Sequence, residues 1–370
     1  MRVFVTGLRG IPDIMGGVES HCEELYPRAL SQSPRLDVTI LARRPYVNRA
    51  PFDHDGLHVV PLPSTRNARL EAIVGTFFSV LHARRQRADL IHIHAVGPAL
   101  LTPLARILGL RVVVTHHGED YARAKWGRFA RIMLRLGEKA ALRFAQAIIV
   151  VAPSLRETLA RENPAARDRL VYIPNGTSRL PEQGSAADEV LATAGFVPGD
   201  YFLTVGRLVP EKAVDQLIEA VRRMPGAKLL VVGGSDHESA FADRVRAMAD
   251  ADVVFAGVQT RATLRDLYQR CRLFVLPSLH EGLPIAALEA GSVGAPMLLS
   301  DIPANTDIGL PAHHYFRTGS IDDLATKLAA PAETYAIDPA ALRLRFDWNG
   351  IAAQTLAVYD RVASGKAPRE

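Results

Sequence analysis

Apolar residues in the first half of the chain gather into short β-branched runs, VFVTG, LDVTIL, LHVVPLP, LIHIHA, RVVVTHH and AIIVVA, with stretches of helical spacing between most of them. That alternation predicts a parallel sheet with crossover helices. After the segment VYIPNGT a second series begins, YFLTVG, KLLVVGG, DVVFAG, RLFVLPS and APMLLSD, each run followed by a helix-like stretch. The architecture repeats although the sequence does not.

Pro174, Asn175 and Gly176 form a turn signal, and the residues that follow are rich in Gly, Ser and Ala. The expectation is two Rossmann-like α/β domains, residues 1–178 and 179–345, facing each other across a cleft, with the joining segment acting as a hinge. The closing stretch FDWNGIAAQTLAVYDRV, within 346–370, has apolar positions at helical spacing and reads as a helix packing back across the domain interface. A length of 370 residues exceeds what one α/β core usually reaches, which agrees with two cores.

Composition is that of an ordinary globular protein, 48% hydrophobic and 22% charged. The longest uncharged apolar run, Ala72 to Leu81, is half of the roughly 20 residues that a membrane span needs. The opening MRVFVTG enters a strand pattern directly, without the features of a secretory signal, so the expected location is the cytoplasm. Cys22 and Cys271 lie far apart and read as reduced core thiols. Charge is uneven: residues 1–175 hold 25 Lys/Arg against 15 Asp/Glu, whereas the remainder is slightly acidic. The basic half suits nucleic acid, anionic lipid or a phosphorylated ligand, and composition does not choose among them.

Candidate chemistry concentrates where strands end. In PSLHEGLPIAALEAGSVG, residues 277–294, Glu281 and Glu289 are separated by seven residues. With a helix starting near Pro284, Glu281 falls in the preceding loop and Glu289 more than a turn inside, so the two carboxylates do different work. The amides of Gly282 and Leu283 then point from a helix N-terminus that favours phosphate, while Pro284 supplies no donor. Isolated glutamates are more often caps or solvated acids. In TVGRLVPEKAVDQLIEA, residues 204–220, a strand stops at Gly206 and delivers Arg207 and Lys212 ahead of a helix, a pair of cations suited to a diphosphate.

The first half offers TGLRGIPDIMGGVESHCEEL, where a long loop after Gly7 leads to Gly16 and Gly17. Three glycines in one tight turn are missing, so a nicotinamide-dependent dehydrogenase ranks below a transferase. VVVTHHGEDY places His116 and His117 at a strand end, with His117 the better candidate for ligand and a structural hydrogen bond as the alternative. His92 and His94 read as structural. No Asp-x-Asp pair stands at a strand end, which argues against an obligatory divalent metal, and no cofactor is expected.

These elements together resemble family 4 of the retaining glycosyltransferases, which have the GT-B fold. The likeness rests on GRLVPEK, VFAGVQTRATLRDLYQRC, PSLHEGLPIAALEA and SDIPANTDI in that order. The resemblance implies that Arg207 and Lys212 bind the diphosphate of a nucleotide-sugar donor, that Glu289 binds the ribose hydroxyls and that Glu281 contacts the sugar. Gly16, Gly17, Gly206, Val258, Gly282, Leu283 and Pro284 complete the implied donor surface, and a histidine at the position of His117 approaches the donor sugar. His117, Glu281, Arg207 and Lys212 are the implied catalytic set. Same-face attack, with the leaving phosphate taking the acceptor proton, is the implied route to retention.

The segments GLRGIPDIMGGVE and THHGEDYARAKW look most like enzymes of bacterial surface-polysaccharide assembly, rhamnosyltransferase-like members included, with a hexosyl or deoxyhexosyl donor and a lipid-linked oligosaccharide acceptor. In RAKWGRFARIMLRLGEKAALR, residues 123–143, Lys125, Arg128, Arg131, Arg135 and Lys139 interleave with apolar residues at helical spacing. Such a helix suits an anionic membrane surface on the inner face of the plasma membrane, with a solvated face over an ordinary core stripe as the alternative. Its aromatics form no stacking platform, so nucleic acid is not expected. A GT-B epimerase or phosphorylase, and a silent nucleotide-sugar binder, are the rival functions.

Overall fold

The computed structural model describes every residue except 13, 15, 68–69, 119–126, 178–179, 236–238 and 366–370. Contacts divide the chain into two compact units: one takes in the chain as far as Gly176 and again from Asp347, the other runs Thr177–Phe346.

The first unit contains β1 (Arg2–Thr6), β2 (Asp37–Arg43), β3 (Phe52–His54), β4 (Leu57–Leu62), β5 (Leu90–His94), β6 (Val112–His116), β7 (Ala147–Val150) and β8 (Leu170–Tyr172). Their order in the sheet is β3-β4-β2-β1-β5-β6-β7-β8. All neighbours are parallel except β3 and β4, an antiparallel hairpin. Its turn is Asp55-Gly56, both with positive φ, the geometry that right-twisted two-residue hairpins prefer. The central strands are buried on both faces, which is why β1 and β6 read as nearly continuous apolar runs, while in β5 the buried His92 and His94 alternate with apolar residues.

Alternate side chains of each strand feed separate cores. Val3, Val5, Val38, Ile40 and Ile149 pack with Cys22, Leu25 and Tyr26 of the Gly17–Gln32 helix and with Trp348, Ile351 and Tyr359 of the Trp348–Ser364 helix. Phe4, Leu41, Ile91, Ile93 and Val114 pack on the other face against Val80, Ala105, Ala141 and Leu159. The terminal helix is therefore a core element of the first unit. Asp347 caps it by accepting the Gly350 amide at 2.9 Å. Gly176 lies so close to Trp348 that a Cβ there would stand 2.7 Å from the indole.

The second unit contains β9 (Tyr201–Val205), β10 (Lys228–Val232), β11 (Val253–Gly257), β12 (Leu273–Leu276), β13 (Met297–Ser300) and β14 (Tyr315–Phe316). The order is β11-β10-β9-β12-β13-β14, parallel throughout. Leu217, Ile218 and Val221 of the Val214–Arg222 helix close its core with Leu229, Val231, Leu273 and Val275.

Both sheets reverse direction of growth beside their first strand, between β1 and β5 and between β9 and β12. At such a reversal the loops leaving the two strands diverge, and the carboxyl edge there forms a crevice for ligand. Of the strands, β3, β8 and β14 have no counterpart among the apolar runs read from sequence; all three are two or three residues long.

Candidate active site

In the second unit the reversal point gathers the residues expected to hold a donor. β9 ends at Val205, and the Gly206 amide donates to the Val232 carbonyl at 2.9 Å. Gly233, at φ +134°, passes the same spot: a Cβ there would fall 1.9 Å from the Gly206 carbonyl oxygen, so the neighbouring strand needs glycine. Arg207 follows on this edge. A short 3-10 turn, Pro210–Lys212, then carries Lys212 back over Gly206, where a Cβ would be in ordinary contact with Lys212 Cε at 3.5 Å.

Lys212 Nζ forms an ion pair with Glu281 Oε1, both side chains largely buried. The same oxygen accepts a hydrogen bond from Ser278 Oγ at 2.7 Å. Ser278 is held in turn, since its carbonyl accepts Ser300 Oγ, and Ser300 Oγ accepts Asn305 Nδ2 at 2.9 Å. The Leu279 amide donates to the Glu211 carbonyl at 2.8 Å and ties the loop after β12 to the turn that bears Lys212. Cation and carboxylate are thus positioned by buried polar partners from four segments of the unit.

Glu289 lies inside the Ile285–Ser292 helix and is buried. Tyr268, fully buried, is its neighbour: burial first, and the Glu289 charge second, push the phenol well above its ordinary pKa. Pro284 differs slightly from expectation. It is the residue before the helix rather than the first residue in it, and its carbonyl accepts the Ala287 and Leu288 amides at 3.1 and 3.2 Å. Leu283 beside it is buried, Gly282 is partly exposed, and Val258, just past β11, is 59% exposed.

In the first unit the corresponding reversal brings Gly7 onto β5. Gly7 has φ +103°, and a Cβ there would lie 2.1 Å from the His94 carbonyl oxygen. Arg9 grips Glu19 three ways: the Arg9 amide and Nε donate to Oε1 at 2.9 and 3.1 Å, and Nη2 to Oε2 at 3.4 Å. A Cβ at Gly16 would stand 2.1 Å from Glu19 Oε2 and 2.5 Å from Arg9 Nη2, so a larger residue there would shift the tips of these two side chains. Gly17, exposed, opens the helix.

His117 belongs to a cluster. Its Nε2 lies 2.9 Å from His94 Nδ1, and its ring meets His21 edge-on at 4.9 Å between centroids. His21 Nδ1 bonds Asn175 Oδ1 at 3.0 Å. His94 Nε2 bonds the Tyr26 hydroxyl at 2.8 Å, and that hydroxyl also meets His92 Nδ1 at 3.0 Å. His92 reaches Tyr359 and Thr115 at 2.6 and 2.7 Å. Burial holds these rings neutral: it pulls His21 down to about 4 and His92 to about 3, and with neighbouring histidines it lowers His94 and His117 well below the usual range. The sequence set His94 apart from His117 as a structural residue; the two are directly bonded. His116 faces elsewhere, its Nε2 2.8 Å from Glu138 Oε2 while its Nδ1 accepts the Gly118 amide at 3.2 Å.

His21, Asn175, Ser278 and Tyr268 adjoin the candidate residues or their partners and were not singled out as candidates by motif reading. His21 alone left a signal, as an imidazole beside the apolar positions Cys22, Leu25 and Tyr26 on the buried side of the first helix. The basic helix runs Arg128–Phe144, and Arg128, Arg131, Arg135 and Lys139 are exposed on it. So are Phe129, Ile132 and Leu136, at 69, 56 and 45%. Lys125 lies outside the described residues. Among the described residues no helix is long and apolar enough to cross a membrane.

Comparison with known proteins agrees with the geometry. The family model for glycosyl transferases group 1 matches residues 196–332, and that for the glycosyl transferase 4-like domain matches residues 16–176. The chain belongs to the GT4-type glycosyltransferases. This glycosyltransferase is 26% identical to an alpha-maltose-1-phosphate synthase of Mycolicibacterium smegmatis over 98% of its own length and 100% of the relative's. Its fold matches a sucrose-phosphate synthase of Thermosynechococcus elongatus with TM-score 0.83 and 21% identity, covering 99% of this chain and 100% of that one. It also matches HepE of Anabaena in complex with UDP-glucose, TM-score 0.76 and 18% identity, over 97% and 99% of the two chains. The two Rossmann-like α/β domains of this enzyme are those of the GT-B fold.

Proposed function

We propose that this glycosyltransferase moves a hexosyl or deoxyhexosyl group, with retention of anomeric configuration, from a nucleotide-diphosphate sugar to a growing lipid-linked glycan of the cell surface. The observation that carries the donor half is the cluster of Lys212, Glu281, Ser278 and buried Glu289 around the β9–β12 reversal point. Lys212 and Arg207 meet the diphosphate, the amides of Gly282 and Leu283 face its oxygens, and Glu289, backed by Tyr268, accepts from the ribose hydroxyls. Glu281 addresses the sugar. HepE, crystallised with UDP-glucose, supports a nucleotide sugar as donor.

The bond that breaks joins the anomeric carbon to the diphosphate oxygen, and its electron pair leaves with the diphosphate. The acceptor oxygen forms the new bond on the same face and its proton passes to the departing phosphate oxygen. Negative charge therefore grows on the diphosphate, and Arg207 and Lys212 stabilise it without need of a metal; one such preorganised contact is worth roughly 3 kcal/mol.

The exposed apolar and basic residues of the Arg128–Phe144 helix favour peripheral attachment to the anionic inner face of the plasma membrane, where a lipid-linked acceptor is presented. A second reading, a small sugar phosphate as product, is favoured by the similarity to an alpha-maltose-1-phosphate synthase. The test begins with thermal stabilisation by UDP, GDP, dTDP and their sugar conjugates, followed by NMR of the product's anomeric configuration with each acceptor class. Absence of stabilisation by every nucleotide, or an inverted product, would refute the reading.

A further inference from the structure

We propose that His21, His94 and His117 form a binding site for one zinc ion in the first unit. Each ring offers a nitrogen within 4.8 Å of the other two. A tetrahedral zinc with Zn–N bonds of about 2.0–2.1 Å sets its ligand atoms about 3.3 Å apart, so binding draws the trio in from separations of up to 4.8 Å and opens the 2.9 Å contact between His94 and His117.

The partners that fix ligand tautomers are already present. Asn175 Oδ1 holds His21 at Nδ1, which directs Nε2 inward, and the Tyr26 hydroxyl holds His94 at Nε2, which directs Nδ1 inward. Tyr26 is anchored by His92, and His92 by Thr115. The three ligands stand on three elements, the first helix and the ends of β5 and β6, all fixed to one sheet. His21 and His94 are buried while His117 is partly exposed, and a solvent molecule would complete the tetrahedron as fourth ligand. Three imidazoles and no carboxylate select a borderline-soft ion over Mg²⁺ or Ca²⁺. On binding, the proton between His94 and His117 moves to the outer nitrogen of either ring, toward Tyr26 or solvent, so no net proton is released.

A zinc ion so placed takes up the ring of His117, which the family resemblance assigns to catalysis, and zinc inhibits turnover. That consequence rests on the transferase reading, whereas binding does not. The experiment is titration of metal-free protein with Zn²⁺ by calorimetry and with Co²⁺ by visible absorption, beside a zinc titration of transferase activity. One equivalent of Zn²⁺ and a tetrahedral Co²⁺ spectrum are expected. His21→Ala and His94→Ala should each weaken binding at least ~100-fold, and Asn175→Ala ~10–100-fold. His313→Ala, at an exposed histidine of the second unit, should change nothing. His21→Gln replaces any variant whose circular dichroism shows loss of fold. Absence of stoichiometric zinc, unchanged affinity in folded His21 variants, loss of binding only in His313→Ala, or equal competition by Mg²⁺ overturns the proposal. Inactivity toward every donor would count against the transferase reading and leave the zinc titration interpretable.

Discussion

Lys212 and Glu281, separated by 68 intervening residues, meet as an ion pair at the one edge of the second sheet where the loops diverge. The pairing keeps a largely buried ammonium in place before any ligand arrives, and Ser278 and Ser300 keep the carboxylate in place. A diphosphate entering there finds a cation already oriented, so little side-chain freedom remains to be lost on binding.

The first prediction separates the two partners. Glu281→Gln removes the carboxylate charge and keeps a Ser278 acceptor, so turnover falls about 100-fold while diphosphate affinity is maintained or improved, the lysine having lost its competitor. Lys212→Ala weakens diphosphate binding and turnover together, by about 100-fold in kcat/KM. Calorimetry with the nucleotide diphosphate beside steady-state kinetics reads both. Parallel loss of affinity in the two variants would contradict the assignment.

Glycine at position 7 is required twice over, by its φ of +103° and by the His94 carbonyl where a Cβ would go. Gly7→Ala should destabilise the first unit by about 3 kcal/mol or more, through backbone strain and displacement of β5. Chemical denaturation monitored by tryptophan fluorescence measures this, because Trp348 is in the same unit. A midpoint within error of wild type would show that the contact relaxes freely.

Stability should fall as the solution is acidified. His21 and His92 have folded-state pKa values pulled down to about 4 and about 3 by burial, against about 6.5 unfolded. Between these values the unfolded chain binds protons that the folded chain refuses, so stability is full above about pH 6.5 and declines as pH drops toward 4. Charging His21 alone costs on the order of 3 kcal/mol. Melting temperatures in metal-free buffer from pH 7.5 to 5 should decline, and His92→Gln should flatten the slope. A level profile in wild type would argue that the rings are charged without penalty.

Phe129, Ile132 and Leu136 present an apolar stripe beside Arg128, Arg131, Arg135 and Lys139. Replacing Ile132 and Leu136 by Glu should abolish co-sedimentation with phosphatidylglycerol vesicles and leave turnover on a water-soluble acceptor unchanged. Neutral vesicles should bind wild type about tenfold or more less well. Equal sedimentation of wild type and variant would remove the membrane from the account.

The succession of β-branched runs and helical stretches was enough to identify two parallel-sheet α/β domains, because burial on both faces writes itself into most central strands as a nearly continuous apolar run. GRLVPEK and PSLHEGLPIAALEA were legible for a similar reason: glycine, cation and acid at a strand end can be read from neighbours in the chain. Short edge strands such as β3 and β14 left no comparable trace, although Asp55-Gly56 marked the β3–β4 turn. Partnership across the fold was not legible at all. Folding alone brought His21, His94, His117 and Asn175 together, joined Lys212 to Ser278 through Glu281, and returned the Trp348–Ser364 helix to the first core. Local pattern reports what one segment buries; which distant segments share a polar cluster is decided by strand order and by close packing, and neither is encoded at any single position.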